Sequence, residues 1–89
     1  MSAVDIAVRE FRELEPEDFQ LLQAIEQQMR NYEYAPSEAI QKQSELPPSE
    51  IDYRVPILIK SGLLQGRREQ YIGYSLTTAG YDTLAINAL

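Results

Sequence analysis

The most regular pattern of apolar and polar positions lies in residues 48–60. Its apolar residues recur at i, i+4, i+7 and i+8, which is the spacing of one stripe along an α-helix. They are Ile51, Val55, Leu58 and Ile59. Pro48 suits a first helical turn, and Gly62 can adopt the left-handed backbone that ends a helix. The pattern predicts a central helix over Pro48–Lys60, with this stripe buried and with a kink at Pro56 on its outer side.

Three further helices are predicted before the central one. Pro16 fits a first helical position, and Glu17 and Asp18 lie at the positive end of the helix dipole, so a helix begins there and runs to about Asn31. Its buried stripe comprises Phe19, Leu22, Ile25 and Met29, with Leu14 and Phe19 placed as a hydrophobic staple. Residues 36–43 form a shorter helix, and Leu46 in the following turn points inward. A helix over residues 4–13 precedes them all.

The segment after the central helix has the pattern of a β-hairpin followed by a helix. Leu63–Arg67 and Ile72–Thr77 read as strands, with Leu64, Tyr74 and Leu76 facing the core and a bulge or close backbone approach at Gly73. Thr77 can cap a last helix over Thr78–Leu89, and Gly80 lets that helix approach a neighbour closely. The predicted buried residues of this helix are Tyr81, Leu84, Ala85 and Ala88. Because the amphipathic pattern still runs at Leu89, we expect the chain to be part of a longer one.

Helix, turn, helix and hairpin follow one another in the order of a winged helix-turn-helix. We therefore predict a mainly α protein with a small β-hairpin (α+β), in which residues 14–89 form the winged-helix domain. Residues 1–13 form an N-terminal helix or arm. The central helix occupies the position of a recognition helix.

Composition narrows the function. The chain has no cysteine and no histidine, which excludes thiolate zinc sites and the common nucleophile–histidine catalytic pairs. Its longest apolar run, Val55–Ile59, is far too short to span a membrane. The net charge is −6, but residues 1–53 carry four basic and twelve acidic side chains, a net of −8, whereas residues 54–89 carry four and two, a net of +2. We therefore expect an anionic partner to contact the C-terminal half of the chain. A cytoplasmic location is the default expectation.

The candidate binding residues lie on the hairpin tip and the central helix. The tip is the only place with adjacent basic side chains, although a solvated turn would explain them equally well. Candidate nucleic-acid contacts are Arg67, Arg68, Gln70 and Tyr71 at the tip, with Lys60 on the solvent side of the helix and Arg54 at the flank of that side. The helix face mixes cations with acids and has no Asn or Gln to pair with adenine, so exposed Tyr53 and Ile57 favour a protein contact. Tyr32 and Tyr34 are predicted to fill the seam between helices.

Motifs for catalysis are missing from the sequence. Gly62 and Gly66 are not followed by the Gly-Lys-Ser/Thr of a phosphate-binding loop, and no metal-ligand constellation is present. We therefore expect a binding module with no catalytic residues, no metal ligands and no cofactor of its own.

Three segments carry a resemblance to a known family: residues 21–29, Tyr32-Glu33-Tyr34-Ala35-Pro36, and residues 71–85 with Tyr-Ile-Gly-Tyr-Ser-Leu-Thr-x-x-Gly-Tyr-Asp-x-Leu-Ala. Over about residues 14–89 the chain resembles the N-terminal winged-helix domain of RIO-type atypical serine/threonine protein kinases, second subgroup. The combination of the tyrosine-rich connector at residues 32–36 with the glycine- and tyrosine-containing segment at residues 71–85 is fairly specific to this family.

The resemblance implies a parent kinase that binds ATP and magnesium and acts in ribosome biogenesis, in maturation of the small ribosomal subunit. It implies partners in ribosomal RNA or a small-subunit precursor, and a kinase domain in the same chain. No catalytic residue is carried over, because none of the kinase motifs matches a segment here. The alternative is a stand-alone winged-helix transcription regulator that binds duplex DNA.

Overall fold

The central helix begins and ends where its sequence pattern predicts. The computed structural model describes residues 14–89 and contains, in chain order, α1 (Pro16–Gln28), β1 (Ala35–Pro36), α2 (Ser37–Ser44), α3 (Pro48–Lys60), β2 (Leu64–Arg67), β3 (Gly73–Leu76) and α4 (Thr78–Asn87). The predicted helix over residues 4–13 lies outside the described residues. Gly62 has a φ of 80°, which closes α3 as expected.

The buried face of α3 is rotated from the predicted one. Ile51, Val55 and Leu58 are buried, but Ile59 is 39% exposed, so its predicted burial is wrong. At about 100° per residue, Ile59 lies roughly 80° round the helix from Ile51, whereas Arg54 lies roughly 60° round on the other side. The core covers the Arg54 side instead. Pro56 is exposed, and the helix continues through it.

Helix α1 supplies the centre of the core. Leu21, Leu22 and Ile25 are fully buried, while the predicted stripe residues Phe19 and Met29 are only partly buried and pack against the edge of the core. The helix ends at Gln28 and not at Asn31, since residues 29–31 form a turn.

The short helix α2 lies one residue later than predicted and packs mainly on α1. It buries Ile40 completely. Glu45 follows it with a left-handed φ of 61°, a conformation that ends the helix and is followed by Leu46, which is buried as predicted.

A third strand extends the predicted hairpin. The sheet order is β1-β3-β2, and all pairs are antiparallel, with Ala35 opposite Tyr74 and Leu64 opposite Leu76. The sequence did not predict β1, because two residues ending in proline carry no alternating pattern. A Cβ added at Gly73 would lie 3.2 Å from the Ala35 carbonyl oxygen, so the expected close backbone approach is confirmed.

Helix α4 is capped as predicted but is buried along a much narrower face. The Thr77 hydroxyl accepts a hydrogen bond from the Gly80 N–H at 3.1 Å. A Cβ added at Gly80 would collide with the Leu63 carbonyl oxygen, which confirms the close approach. Of the predicted buried residues only Leu84 is buried; Tyr81, Ala85 and Ala88 are exposed. The reason is that the core contacts α4 only along the face formed by Gly80, Thr83 and Leu84.

The fold is thus mainly α with a small antiparallel sheet, which confirms the predicted class. Among residues 14–89, no helix has the length and apolar character needed to cross a membrane.

Candidate nucleic-acid interface

The first wing arginine is engaged in contacts within the chain. The Arg67 guanidinium donates a hydrogen bond to the Glu69 carboxylate at 2.7 Å and lies 3.9 Å from the Glu33 carboxylate. Its Cζ atom is 5.4 Å from the centre of the Tyr34 ring, within reach of a cation–π contact. In the sequence, Glu69 is the acid next to the two wing arginines; the structure adds Glu33 from the connector before β1.

These contacts change the acid–base properties of the pair. The hydrogen bond to Glu69 and its negative charge raise the pKa of Arg67. The same hydrogen bond and the positive charge of Arg67 lower the pKa of Glu69. The guanidinium therefore remains charged, but much of its field is compensated locally.

The rest of the wing tip is open. Arg68 and Gln70 are exposed, and within residues 14–89 Arg68 takes part in no ion pair. Tyr71 is 44% exposed, while its hydroxyl donates a hydrogen bond to the Tyr34 carbonyl oxygen at 2.9 Å. That bond fixes the tip against the connector and leaves part of the tyrosine ring accessible.

The candidate arginine on α3 lies in the interior. Arg54, predicted at the flank of the solvent side of the helix, is only 6% exposed, so that placement is wrong. The guanidinium contacts Asp18 at 3.0 Å and Glu50 at 3.1 Å. Glu15 and Glu17 complete the cluster at 3.5 and 3.7 Å. We call these five residues the Arg54 cluster.

The Arg54 cluster fastens α3 to the beginning of α1. Burial alone would lower the pKa of Arg54, but the hydrogen bond to Asp18 and the surrounding carboxylates outweigh it, and the pKa is raised. Asp18 also accepts a hydrogen bond from the Glu15 N–H at 2.9 Å, so both of its oxygens are used. The role of Asp18 was missed, because its position in an acidic first turn explains it without a partner.

The outward face of α3 is accessible. Tyr53 is 61% and Ile57 is 46% exposed, in agreement with their predicted placement, and Lys60 is exposed at the end of the helix. With Arg54 buried, Lys60 is the remaining exposed cation on this helix. A role of Tyr53 and Ile57 in protein contacts stays a prediction.

The connector, residues 32–36, does not pack between helices as predicted. Tyr32 is 42% exposed and Tyr34 is half-buried beside Arg67, so neither tyrosine fills a seam between helices as expected. Instead the connector continues into β1 and supports the wing.

Residues 14–89 contain no group of three or more acidic, histidine or cysteine side chains that could hold a metal ion. The arrangement offers two exposed surfaces, a basic and aromatic tip and an apolar helix face, on a scaffold of helix-turn-helix and wing.

Comparison with known proteins identifies the scaffold. A family model described as Rio2, N-terminal, matches residues 11–89. The chain belongs to this family.

Two proteins that are similar to this chain in sequence are named as kinases. The chain is 33% identical over 87 residues to a serine/threonine-protein kinase rio2 of Schizosaccharomyces pombe, covering 97% of this chain and 25% of that protein. It is 38% identical over 60 residues to the RIO-type serine/threonine-protein kinase Rio2 of Methanocaldococcus jannaschii, covering 67% of this chain and 21% of the relative.

Solved structures agree with this assignment. The crystal structure of the Rio2 kinase–ADP/Mg²⁺–phosphoaspartate complex from Chaetomium thermophilum superimposes with a TM-score of 0.81 at 34% identity, over 90% of this chain and 24% of that one. A second structure of the Rio2 kinase from the same organism gives 0.77 at 33% identity, over 90% of this chain and 23% of that one. The chain thus spans about a quarter of the length of these relatives.

Proposed function

We propose that this chain is a non-catalytic winged-helix module of a Rio2-type serine/threonine kinase and that it docks the kinase on ribosomal RNA or a small-subunit precursor. Support comes from membership of the Rio2 N-terminal family and from the names of the relatives, which are kinases roughly three to four times its length. The proposal includes a kinase domain in the same chain that uses ATP and magnesium, and a cytoplasmic location.

The observation that carries the RNA contact is the exposed wing tip. Arg68 offers a guanidinium to phosphate, and the accessible part of the Tyr71 ring offers a surface on which an unpaired base can stack. Gln70 lies between them and can donate to or accept from a base edge or a ribose.

The same geometry limits the strength of that contact. Arg67 and Arg68 contribute two positive charges, and Glu33 and Glu69 contribute two negative ones, so the tip has no net charge. Opposite charges so close together cancel well within the screening length of roughly 8–10 Å at physiological salt. We therefore expect weak binding, with Arg68 as the main phosphate contact and Lys60 as a secondary one.

The test measures binding of a fluorescently labelled RNA hairpin by anisotropy at three salt concentrations. We expect Arg68→Gln to remove most of the binding and to lower the log–log salt slope by about one. Lys42→Gln, which removes an exposed cation on α2, is the control and should change little. Equal losses from both variants would contradict a specific role of the wing.

Arg67 needs a charge-matched variant. Arg67→Gln alone frees two carboxylates and would weaken RNA binding even if Arg67 never touched phosphate. The double variant Arg67→Gln with Glu69→Gln keeps the net charge of the tip, and we expect it to bind RNA nearly as well as the unchanged chain. A large loss in the double variant would show that Arg67 contacts phosphate directly.

Duplex DNA serves as the competing ligand for the alternative of a transcription regulator. Helix α3 exposes one cation, Lys60, and one acid, Asp52, which is a poor surface for a major groove. Tighter binding of a defined DNA duplex than of RNA, with loss on Lys60→Gln, would favour the regulator over the kinase module.

A further inference from the structure

The outward face of α3 forms one wall of an apolar groove. Tyr53 and Ile57 face Leu14 across it, and Ser61 lies at one end. In a monomeric protein, adjoining exposed apolar side chains of this size indicate a surface that contacts something else. Because the wing carries the proposed RNA contact, this groove is a second and separate surface of the module.

The rim of the groove is acidic. Glu15 and Asp18 line it together with Arg54, and Glu17 and Glu50 lie within 4 Å of the same guanidinium. Four carboxylates around one arginine leave a net charge of −3 in the Arg54 cluster. The side chains of Glu15, Glu17 and Glu50 are 58%, 43% and 43% exposed, so their charges reach the solvent at the edge of the groove.

We infer that this groove binds a basic amphipathic segment of a partner protein, with apolar side chains on Tyr53 and Ile57 and lysine or arginine side chains beside the Arg54 cluster. The charge selects this occupant. A net of −3 attracts a cationic segment over the screening length of roughly 8–10 Å, and it repels RNA and DNA. Lys60, next to Ser61 at the C-terminal end of α3, gives the surface a polarity and therefore a preferred direction for the bound segment.

Two occupants from the chain itself fit the charge less well. A second copy carries a net charge of −6 and would be repelled. Residues 1–13 contain Phe11 and two arginines but also three acids, a side-chain net of −1, so they match the acidic rim more weakly than a basic partner would. Both become outcomes of the test.

The test uses the whole chain labelled with ¹⁵N and a short amphipathic helical peptide of leucine and lysine as the probe. We expect this peptide to shift the amide signals of Tyr53, Ile57 and Ser61. Two counterpart peptides separate the contributions: glutamate in place of lysine should abolish binding, and serine in place of leucine should weaken it strongly. Binding should also weaken as salt is raised from 50 mM to 500 mM, since exposed charge pairs are screened.

Matched variants separate a specific groove from general attraction. Tyr53→Ala with Ile57→Ala should weaken the peptide at least about fivefold, as expected for central apolar contacts. The control, Tyr32→Ala with Ile72→Ala, removes side chains that are 42% and 46% exposed elsewhere and should have little effect. Glu15→Gln with Glu17→Gln should weaken binding roughly twofold to tenfold, whereas Glu26→Gln with Glu38→Gln should not. Equal effects of variants and controls would overturn the inference.

The remaining outcomes identify a different occupant. The chain lacks cysteine, so Ala3→Cys accepts a single spin label. Broadening of the Tyr53 and Ile57 signals within one free chain would show that residues 1–13 fill the groove. The same broadening between a spin-labelled chain and a separate ¹⁵N-labelled chain would show a second copy, and RNA-induced shifts of the Tyr53 and Ile57 signals would show a nucleic-acid site in the groove. Each result overturns the basic-segment inference without affecting the wing test, because Arg68 lies outside the groove.

Discussion

At the scale of single residues, Arg54 and Arg67 show how local surroundings decide what an arginine does. Both are surrounded by carboxylates, but Arg54 is 6% exposed and joins two helices, whereas the Arg67 side chain is 45% exposed and joins a strand to its own turn. Buried charge pairs depend strongly on both partners, because a charge left alone in the interior is costly. Exposed pairs contribute little.

This contrast predicts different stability effects. Arg54→Leu leaves Asp18 largely buried without its cation and should lower the free energy of unfolding by about 3–5 kcal/mol. Arg67→Gln should change it far less, because exposed ion pairs are screened by solvent. Urea unfolding followed by circular dichroism gives both values, and Arg54→Lys should fall between them, because an ammonium group cannot reach several carboxylates at once. Equal values for Arg54→Leu and Arg67→Gln would refute the structural role of the Arg54 cluster.

A second residue-scale prediction concerns the pKa of Glu69. The Arg67 contact lowers this pKa from the ordinary value of 4.5. The contribution of the pair to stability is therefore present above the ordinary pKa and is lost as pH falls through the lowered one. An NMR titration of the Glu69 side chain should show the lowered pKa, and Arg67→Gln should return it toward the ordinary value. An identical titration in both proteins would mean that the contact does not persist in solution.

At the scale of elements, the sequence predicted the helices well where the signal was local. Pro48 and Gly62 mark the ends of α3, and Thr77 marks the beginning of α4, because caps and prolines act within one turn. The prediction from sequence failed where an element or its buried face depends on packing against residues far away in the chain. Strand β1 exists only because β3 pairs with it, and the apolar pattern of α4 does not reveal how few of its residues the core contacts.

The candidate binding residues were likewise predictable from the sequence only where their exposure depends on local position. The exposure of Arg68, Tyr53 and Ile57 follows from their positions at a turn and on the outer face of a helix. The burial of Arg54 does not, because it requires Asp18, 36 residues earlier in the chain. Sequence spacing carries no information on a contact of that separation without knowledge of the fold.

Helix α3 also allows a test of the proline in its interior. Pro56 cannot donate a backbone hydrogen bond to the Asp52 carbonyl oxygen, and it is exposed, so its ring is not required for core packing. We expect Pro56→Ala to stabilise the chain by about 1–3 kcal/mol in urea unfolding. Ile57→Ala on the same exposed face is the control for loss of side-chain surface. Destabilisation by Pro56→Ala would mean that the predicted kink is needed for the packing of α3.

At the scale of the whole molecule, charge is separated into surfaces of different character. The Arg54 cluster carries a net of −3 beside an apolar groove, the wing tip is balanced, and Arg68 projects from it. Under the two proposals made above, the module would contact RNA through the wing and a basic protein segment through the groove at the same time. The two contacts would reinforce each other by raising the effective local concentration.

The last prediction concerns nucleotides. A nucleoside triphosphate needs a cradle of backbone N–H groups or cations, usually with magnesium held by carboxylates. Among residues 14–89, the four carboxylates of the Arg54 cluster are already paired with that arginine, and the net negative charge of the cluster repels phosphate. Residues 14–89 also contain no cluster of three or more acidic, histidine or cysteine side chains that could hold a metal ion. We therefore expect isothermal titration of this chain with MgATP to show no saturable binding in the micromolar range. A circular dichroism spectrum of the same sample serves as the control for folded protein, and saturable MgATP binding abolished by Arg68→Gln would place a nucleotide site on the wing.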